Sequence, residues 1–500
     1  MMGFFQPMTF SLHPVRVYLC ASALIFAGCL VGPKYRMPAP TKDPIPAGYK
    51  ESPARKETGA WKVANPNDGM LRGAWWKVFK DHDLDALEDQ LNINNQNIKQ
   101  FYQNYMVARA MVREANSQFY PTLTANGSYT RARTPPGMPA TSILSILDAS
   151  WEPDIWGKVA NTVHAVQYNA QASAALLENE RLSEQASLAT YYFQIRGQDS
   201  LQKLYNDTII EDKKSLDFTK AQFETGMTDQ IAVVQATNTL ENAQAAAVNV
   251  GVARAQYEHA IAVLVGKSPS SFSIPVRPLE ATPPAVPVGV PSWLIERRPD
   301  IAAAERAMAQ SNAQIGMAMA AYFPSVTIGG DRGYSANAFS QLFQSANRLW
   351  SVGPSVSETI FDGGLRRATV HQYVASYNAN LAAYRETVLT AFQQVEDSLS
   401  QVRILSKQLV LQRQAEESAK TFVKLEINRY QTGIDPYIDV VTAQTTLLTD
   451  QLAVINVRVQ EMTGCVQLVK ALGGGWEHVQ LPTASDVAKR PTHAETAILR

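Results

Sequence analysis

The chain has 500 residues, in which 45 Lys and Arg are balanced by 45 Asp and Glu. Zero formal net charge, 18% charged and 46% hydrophobic residues exclude a chain disordered throughout, and leave no basic excess for neutralising nucleic-acid phosphates. The 27 Gly and 27 Pro are unevenly spread, and long stretches have none.

Residues 1–28 read as a secretory signal. His13 and Arg16 precede an uncharged run from Val17 to Leu30 that is too short to span a bilayer as a mature helix. The closing Ala27-Gly28-Cys29 resembles the bacterial lipoprotein box, with Phe26 where such boxes favour Leu. That resemblance implies a Cys29 carrying a diacylglycerol thioether and an N-acyl chain, and Leu30 after it implies sorting to the outer membrane. Acyl chains contribute roughly 0.8 kcal/mol per buried methylene, so several on one cysteine anchor firmly. Cys20 leaves with the signal, which leaves Cys465 alone and no internal disulfide in the mature chain.

Residues 29–83 form an N-terminal segment whose Pro-rich part, Gly32 to Pro66, is expected to lie along a surface. A first repeat spans 84–266. It opens on a helical run, Leu84 to Phe119, which Pro121 stops. A strand pair is expected at about 121–156, where Asp148, Ser150, Glu152 and Asp154 alternate with Ala149, Trp151, Pro153 and Ile155. Period two with one wet and one apolar face fits a half-buried strand, and equally a membrane barrel wall. Turns are expected at 134–139 and at Gly329 to Gly333.

A long helix over 158–225 is interrupted only by Gly197, and a shorter helical run follows from Thr228 to Val265. The Pro-rich stretch 267–298 links to a second repeat, 299–473. Glu296, Arg297, Arg298 and Asp300 read as a capped helix start with Pro299 in its first turn, rather than as a phosphate or catalytic site. The helix Asp300 to Phe323 leads to a strand pair at about 324–361, where Trp350, Val352, Pro354 and Val356 alternate with Leu349, Ser351, Gly353 and Ser355. A second long helix at 364–430 holds no Gly or Pro from 365 onward, and Ile438 to Leu472 contains only Gly464. The tail 474–500 is expected to be loose. Each long helix, at 1.5 Å per residue, reaches roughly 100 Å, far beyond an ordinary domain. The run 228–265 with 300–323, and 438–472 with 84–119, each match one long helix when stacked end to end.

The two halves repeat each other. Phe223-Glu-Thr-Gly226 precedes by 207 residues the Tyr430-Gln-Thr-Gly433 segment, and Gly266 matches Gly473 at the same offset. Phe119-Tyr120-Pro121 echoes Tyr322-Phe323-Pro324. Four strands cannot close a barrel, and a membrane tolerates no open edge, so if the strands span lipid several chains must share one barrel. Two copies supply eight strands and three supply twelve.

Cys29-Leu-Val-Gly32-Pro33-Lys-Tyr35, Trp75-Trp76-Lys-Val-Phe79, Leu294-Ile-Glu296-Arg297-Arg298-Pro299-Asp300, Phe361-Asp362-Gly363-Gly364 and Tyr430-Gln-Thr-Gly433 occur in this order across the mature chain. Together they resemble the NodT-type outer-membrane lipoproteins of the TolC-like outer membrane efflux family. The resemblance implies a mixed α/β membrane protein: a homotrimer with a twelve-stranded outer-membrane β-barrel, four strands per chain, continued by a twelve-helix periplasmic α-barrel with an equatorial domain. It implies, too, a passive conduit for drugs or other small molecules, opened by contact with a periplasmic adaptor (membrane fusion protein) and an inner-membrane RND-type transporter. Outer-membrane lipids surround it, and nucleic acid has no part.

On this reading Gly226 and Gly433 turn the helical hairpins at the periplasmic tip. Asp435 and Asp229 would be repeated around the constriction there as rings of like charge, and helix capping is the competing role for both. Arg429 and Glu224 are candidates for pairing between helices, or for a solvated surface. Trp151, Trp156, Trp350 and Phe361 suit membrane-interface anchors, with ordinary packing as the alternative. No phosphate-binding loop, dinucleotide fingerprint or nucleophile elbow is present, and the 7 histidines show no metal spacing. No enzyme activity and no cofactor beyond the lipid are expected. A type I protein-secretion duct of the same fold is one alternative. A lipid-anchored periplasmic scaffold without a pore is another, which would leave the strand pairs unexplained and needs heptads that the long runs lack.

Overall fold

Stretches rich in Ala, Gln, Leu and Glu form helices, and the Pro-bounded stretches between them form strands. The computed structural model describes residues 30–41, 44–45, 48–51, 73–133, 135, 137–284, 296–476 and 478–490. Helices α1 (His82–Asn94) and α2 (Gln96–Ser117) precede strands β1 (Thr122–Ala132) and β2 (Ala140–Trp151). The long α3 (Lys158–Glu224) then turns into α4 (Gln230–Leu264). The second half repeats the pattern with α5 (Pro299–Ala320), β3 (Ser325–Ala336), β4 (Arg348–Ser357), α6 (Leu365–Gln431) and α7 (Tyr437–Ala471), and a short α8 (Ala484–Ala488) closes the described chain. Duplication extends to length: α3 and α6 have 67 residues each, α4 and α7 have 35, and α2 and α5 have 22. No helix among the described residues is long and apolar enough to cross a membrane.

The run Leu84 to Phe119 is two helices rather than one. Asn95 leaves helical geometry (φ −57°, ψ 127°) and its Oδ1 accepts from Ile98 N at 2.9 Å, capping α2. Its Nδ2 donates to the Leu264 carbonyl at the end of α4. The short helices therefore meet within a repeat, α4 with α2 and α7 with α5, and not across repeats as the length arithmetic pairs them. At the second joint Arg298 donates to the Ala471 carbonyl at 3.1 Å. Gly266 and Gly473 make both joints possible: a Cβ there would lie 2.7 Å from Asn94 O and 2.0 Å from Arg297 O. Both glycines also have positive φ, which an L side chain resists.

The strands form one antiparallel sheet in the order β1-β2-β3-β4, so both outer edges are unpaired within the chain. Two expectations change here. Strand β2 ends at Trp151, and Asp154 caps α3 instead, accepting from Val159 N at 2.9 Å and Ala160 N at 2.7 Å. Gly329 to Gly333 lie inside β3 rather than in a turn. At Gly333 a Cβ would come within 2.2 Å of Ser145 O, so the backbones of β2 and β3 approach closely there.

The largest apolar cluster gathers Trp75, Trp76, Phe79, Leu84, Leu91, Tyr192, Phe193, Ile261, Met462 and Val466 about the middle of the helices. Around it, Arg196, Asp199, Arg254 and Asp83 clamp the start of the Pro-rich linker. Arg196 donates to Pro275 O at 2.7 Å, Arg254 to Ile274 O at 2.7 Å, and Arg277 N to Asp199 at 2.9 Å. Gly197 lets α7 approach α3, since a Cβ there would meet Val459 Cγ2 at 2.5 Å.

The tail is not loose over residues 478–490. Thr483 and Asp486 form a capping box on α8. Val487 packs with Ala108, Val112 and Ala170, and Arg109 donates to Lys489 O at 3.0 Å. Apolar burial under α8 wins over a lack of periodicity in so short a piece. Residues 491–500 lie outside the described residues.

Candidate functional site

At the end of the helices remote from the sheet, α3 and α6 stop in the same way. Gly226 and Gly433 adopt φ of 74° and 73°. Met227 N returns to Gln222 O at 2.8 Å, and Ile434 N to Arg429 O at 2.9 Å, which satisfies carbonyls that the helix ends leave free. Both turns line one cleft of about 950 Å³. Beneath it lie Leu216, Ala232, Ala236, Tyr430, Tyr437 and Val440, with the Tyr430 and Tyr437 rings 5.1 Å apart and edge to face.

The two aspartates have different roles. Asp229 is the N-cap of α4, and its Oδ1 accepts from Ala232 N at 3.1 Å. Pro436 holds that position for α7, so Asp435 has no cap to make. Its carboxylate is gripped by Arg429 Nε and by Arg429 Nη2, the latter at 2.8 Å. Arg429 thus pairs across its own turn rather than with a separate helix, and Glu224 is exposed at the end of α3. Glu426, Asp435 and Asp439 bring carboxylate oxygens within 4.8 Å of one another, with Arg429 supplying the opposing charge. Arg429 holds Asp435 below the usual carboxylate range, whereas burial and then Asp435 raise Glu426.

Asp212, on α3 one level above the turns, was not singled out in the sequence. It is buried, its Oδ2 has no hydrogen-bond partner, and burial, aided by Glu211, pushes it up to about 6. Nearby, Gln444 of α7 donates to Ser215 of α3 at 3.2 Å. A carboxyl that holds its proton more tightly when folded contributes its full stability below the unfolded pKa, and loses it over the interval in which the unfolded form ionises first. Stability therefore falls as pH rises from about 4, where the unfolded acid ionises, through about 6. Hydrogen exchange of the α3 and α7 amides near the tip is expected to become less protected over that interval, and Asp212→Asn is expected to flatten the profile. An unchanged slope in the variant refutes the assignment.

At the other end, the strand-to-helix joints carry Trp151, Trp156 and Phe361, while Trp350 lies toward the hairpin end of β4. Trp151 Nε1 donates to Phe119 O at 3.0 Å, and Trp156 Nε1 to Pro324 O at 2.7 Å while its ring stacks on Phe323. Phe361 and Trp350 are free of the core, at 87% and 71% exposure. The same joints hold the N-terminal segment, although Cys29 itself lies outside the described residues. Leu30 packs on Gly157, Val31 N donates to Trp156 O at 3.2 Å, and Asn161 and Asn312 donate to the carbonyls of Val31 and Pro33. Gly32, at φ 122°, passes so close to Gly316 that a Cβ would come within 2.5 Å of Gly316 Cα.

The register divides the sheet into two faces. Leu123, Ala125, Leu147, Ala149, Ile328, Val352 and Val356 share one; Thr124, Asn126, Asp148, Ser150, Asp331, Ser351 and Ser355 share the other. Gly333, where a Cβ would run into the neighbouring strand, lies on the polar face. On the apolar face Leu147 is 51% exposed. Cys465 is buried and its thiol is pushed up to about 12 by burial, which leaves it unreactive.

The sequence profile described as outer membrane efflux protein matches residues 87–267 and 290–474. The chain is 30% identical over 468 residues to the probable efflux pump outer membrane protein TtgC of Pseudomonas putida, covering 92% of this chain and 95% of that one. Among solved structures it resembles the outer-membrane channel OprN (28% identity, TM-score 0.81, covering 90% of this chain and 100% of that one). It also resembles the open state of the MtrE outer membrane channel of Neisseria gonorrhoeae (25% identity, TM-score 0.78, covering 90% and 99%).

Proposed function

Because the chain belongs to the outer membrane efflux protein family, we propose that three copies join their open sheet edges into one twelve-stranded barrel, continued by a twelve-helix periplasmic tunnel. The chain is the outer-membrane channel component of a bacterial efflux system, passive rather than enzymatic. The observation that carries the trimer is a four-stranded sheet with two unpaired edges and one apolar face, set on helices of 67 residues. A bilayer has no water to satisfy those edges, so neighbouring copies must. In that barrel the apolar face is the convex one and meets lipid, and the polar face, with Asp148 directly opposite Asp331, is the concave one and lines the lumen. Purified in detergent, the protein is expected to have the mass of a trimer and to conduct in planar bilayers. A monomer without conductance overturns the proposal.

Its partners on this reading are a periplasmic adaptor docked at the tips and an inner-membrane RND-type transporter that supplies the energy. Drugs or other small molecules are the cargo. The tip is the gate, with Arg429–Asp435 holding the second hairpin closed and Asp229 shaping the first. Opening is a two-state movement of hairpins biased by partner contacts.

Cys29 carries the lipid. What supports this is the fixing of residues 30–33 against Trp156, Asn161, Asn312 and Gly316, at the aromatic joint at the foot of the barrel. Acyl chains attached there enter the inner leaflet of the outer membrane. Cys29→Ser is expected to abolish incorporation of labelled palmitate while leaving conductance intact; a variant that is still labelled refutes Cys29 as the acceptor.

A further inference from the structure

Charges on the sheet are sorted by face. The strand acids, Asp148 and Asp331, lie on the concave side, and the strand arginines, Arg131, Arg332 and Arg348, all lie on the convex side. Arg332 stands opposite Trp350, and Arg348 opposite Tyr334. Arg131 is two residues along the same face from Tyr129, whose ring stacks on Phe339 at 5.7 Å. All three arginines are exposed, and among the described residues no carboxylate pairs with any of them. The opposite end of the sheet differs. There Lys158 pairs with Glu152 at 3.4 Å, and Arg366 with Glu358 at 3.0 Å and Asp362 at 2.7 Å. Lys158 and Arg366 are thus neutralised internally at the helix end, whereas the three strand arginines are left open.

An unpaired guanidinium on a lipid-facing surface is costly unless its charge reaches an anion at the interface. We infer that the convex face at the hairpin end binds the phosphates of the phosphorylated glycolipid of the outer leaflet, the lipid A headgroup. The inference rests on the reading of this sheet as part of an outer-membrane barrel, which turns the hairpins toward the cell exterior. Guanidinium forks match phosphate oxygens in pairs, and the interleaved Trp350, Tyr334 and Tyr129 supply amphipathic rings at headgroup level. The site takes an anionic, bisphosphorylated sugar lipid, and three copies of it ring the trimer.

The test uses the full-length trimer in detergent, with native mass spectrometry counting bound lipid after addition of bisphosphorylated lipid A or its dephosphorylated form. Wild type is expected to retain the phosphorylated lipid, and a variant combining Arg131→Gln, Arg332→Gln and Arg348→Gln to retain at least about fivefold less, as loss of charge-assisted phosphate contacts requires. The corresponding Lys variant is expected to retain more than the Gln variant, and Asp148→Asn with Asp331→Asn to behave as wild type. Equal retention of both lipid forms by wild type, or equal retention by wild type and Gln variant, overturns the inference. So does equal loss from the Lys and Gln variants. Planar-bilayer conductance of the same preparations keeps the two questions apart: a conducting wild type that ignores the phosphates sinks this inference alone, and a non-conducting wild type sinks the channel reading.

Discussion

Asp435→Ala is expected to raise the ion leak of the isolated trimer in planar bilayers severalfold, and Arg429→Ala to do the same. Asp435 takes two hydrogen bonds from one guanidinium, a geometry stronger than a single contact between exposed charges. Through this pair the N-terminal end of α7 is tied back to the last turn of α6, and in a trimer the tie occurs three times around one constriction. Because Pro436 is the N-cap, removing the Asp435 carboxylate leaves the start of α7 intact. Asp229→Ala removes a cap instead, at a cost of about 1 kcal/mol to α4, and is expected to leave the leak closer to wild type. The pH dependence has a definite sign. Arg429 depresses Asp435, so the tie is present above the usual carboxylate range, persists as pH falls through it, and is lost only below it. Glu426, which is raised, takes up its proton first and relieves repulsion within the acidic group. Single-channel recording checks the whole argument, and a variant with unchanged conductance and open probability removes Asp435 from the gate.

Asp199→Ala is expected to be the most destabilising single substitution, by about 3–5 kcal/mol, the range for removing one member of a buried ion pair. The Asp199 side chain is wholly buried and faces Arg254 Nε at 2.7 Å and Arg196 Nη1 at 3.5 Å, while its second oxygen accepts from Arg277 N. Its loss leaves Arg196, only 2% exposed, with Asp83 as its remaining carboxylate, takes from Arg254 its closest one, and removes the bond that holds Arg277 N. Replacing Arg196 and Asp199 together by apolar residues is expected to cost less than Asp199→Ala alone, since the buried guanidinium goes with its partner while Arg254 keeps Glu258 and Asp83 keeps Arg277. Denaturant midpoints of the detergent-solubilised protein measure both, and an Asp199→Ala midpoint equal to wild type refutes the clamp.

Arg429 and Asp435 were within reach of sequence reasoning because their partnership is local: six residues separate them across one glycine turn. Applying the repeat also shows why the two aspartates differ, since the offset of 207 places Asp229 on Pro436 and not on Asp435. Arg196 and Asp199 carried no such signal. Three residues apart on a helix they look like a solvated pair, and their other partners, Asp83, Arg254 and Arg277, are remote in the chain. Gly329 to Gly333 misled for a related reason. Glycine marks turns, and it also marks backbones in close approach, which only the assembled sheet reveals.

By itself, the sequence determined the positions of the helices and the length of the two long ones, the duplication, the glycine turns that end those two helices, and the alternation of the strands. These depend on backbone propensity and on contacts between near neighbours, which composition and period express directly. Tertiary structure alone decided which short helices meet end to end, which carboxylates are buried, where the tail docks, and which residues of the four strands share a face. Each of those outcomes turns on side chains from distant segments competing for the same space or the same proton, and no local pattern records the winner.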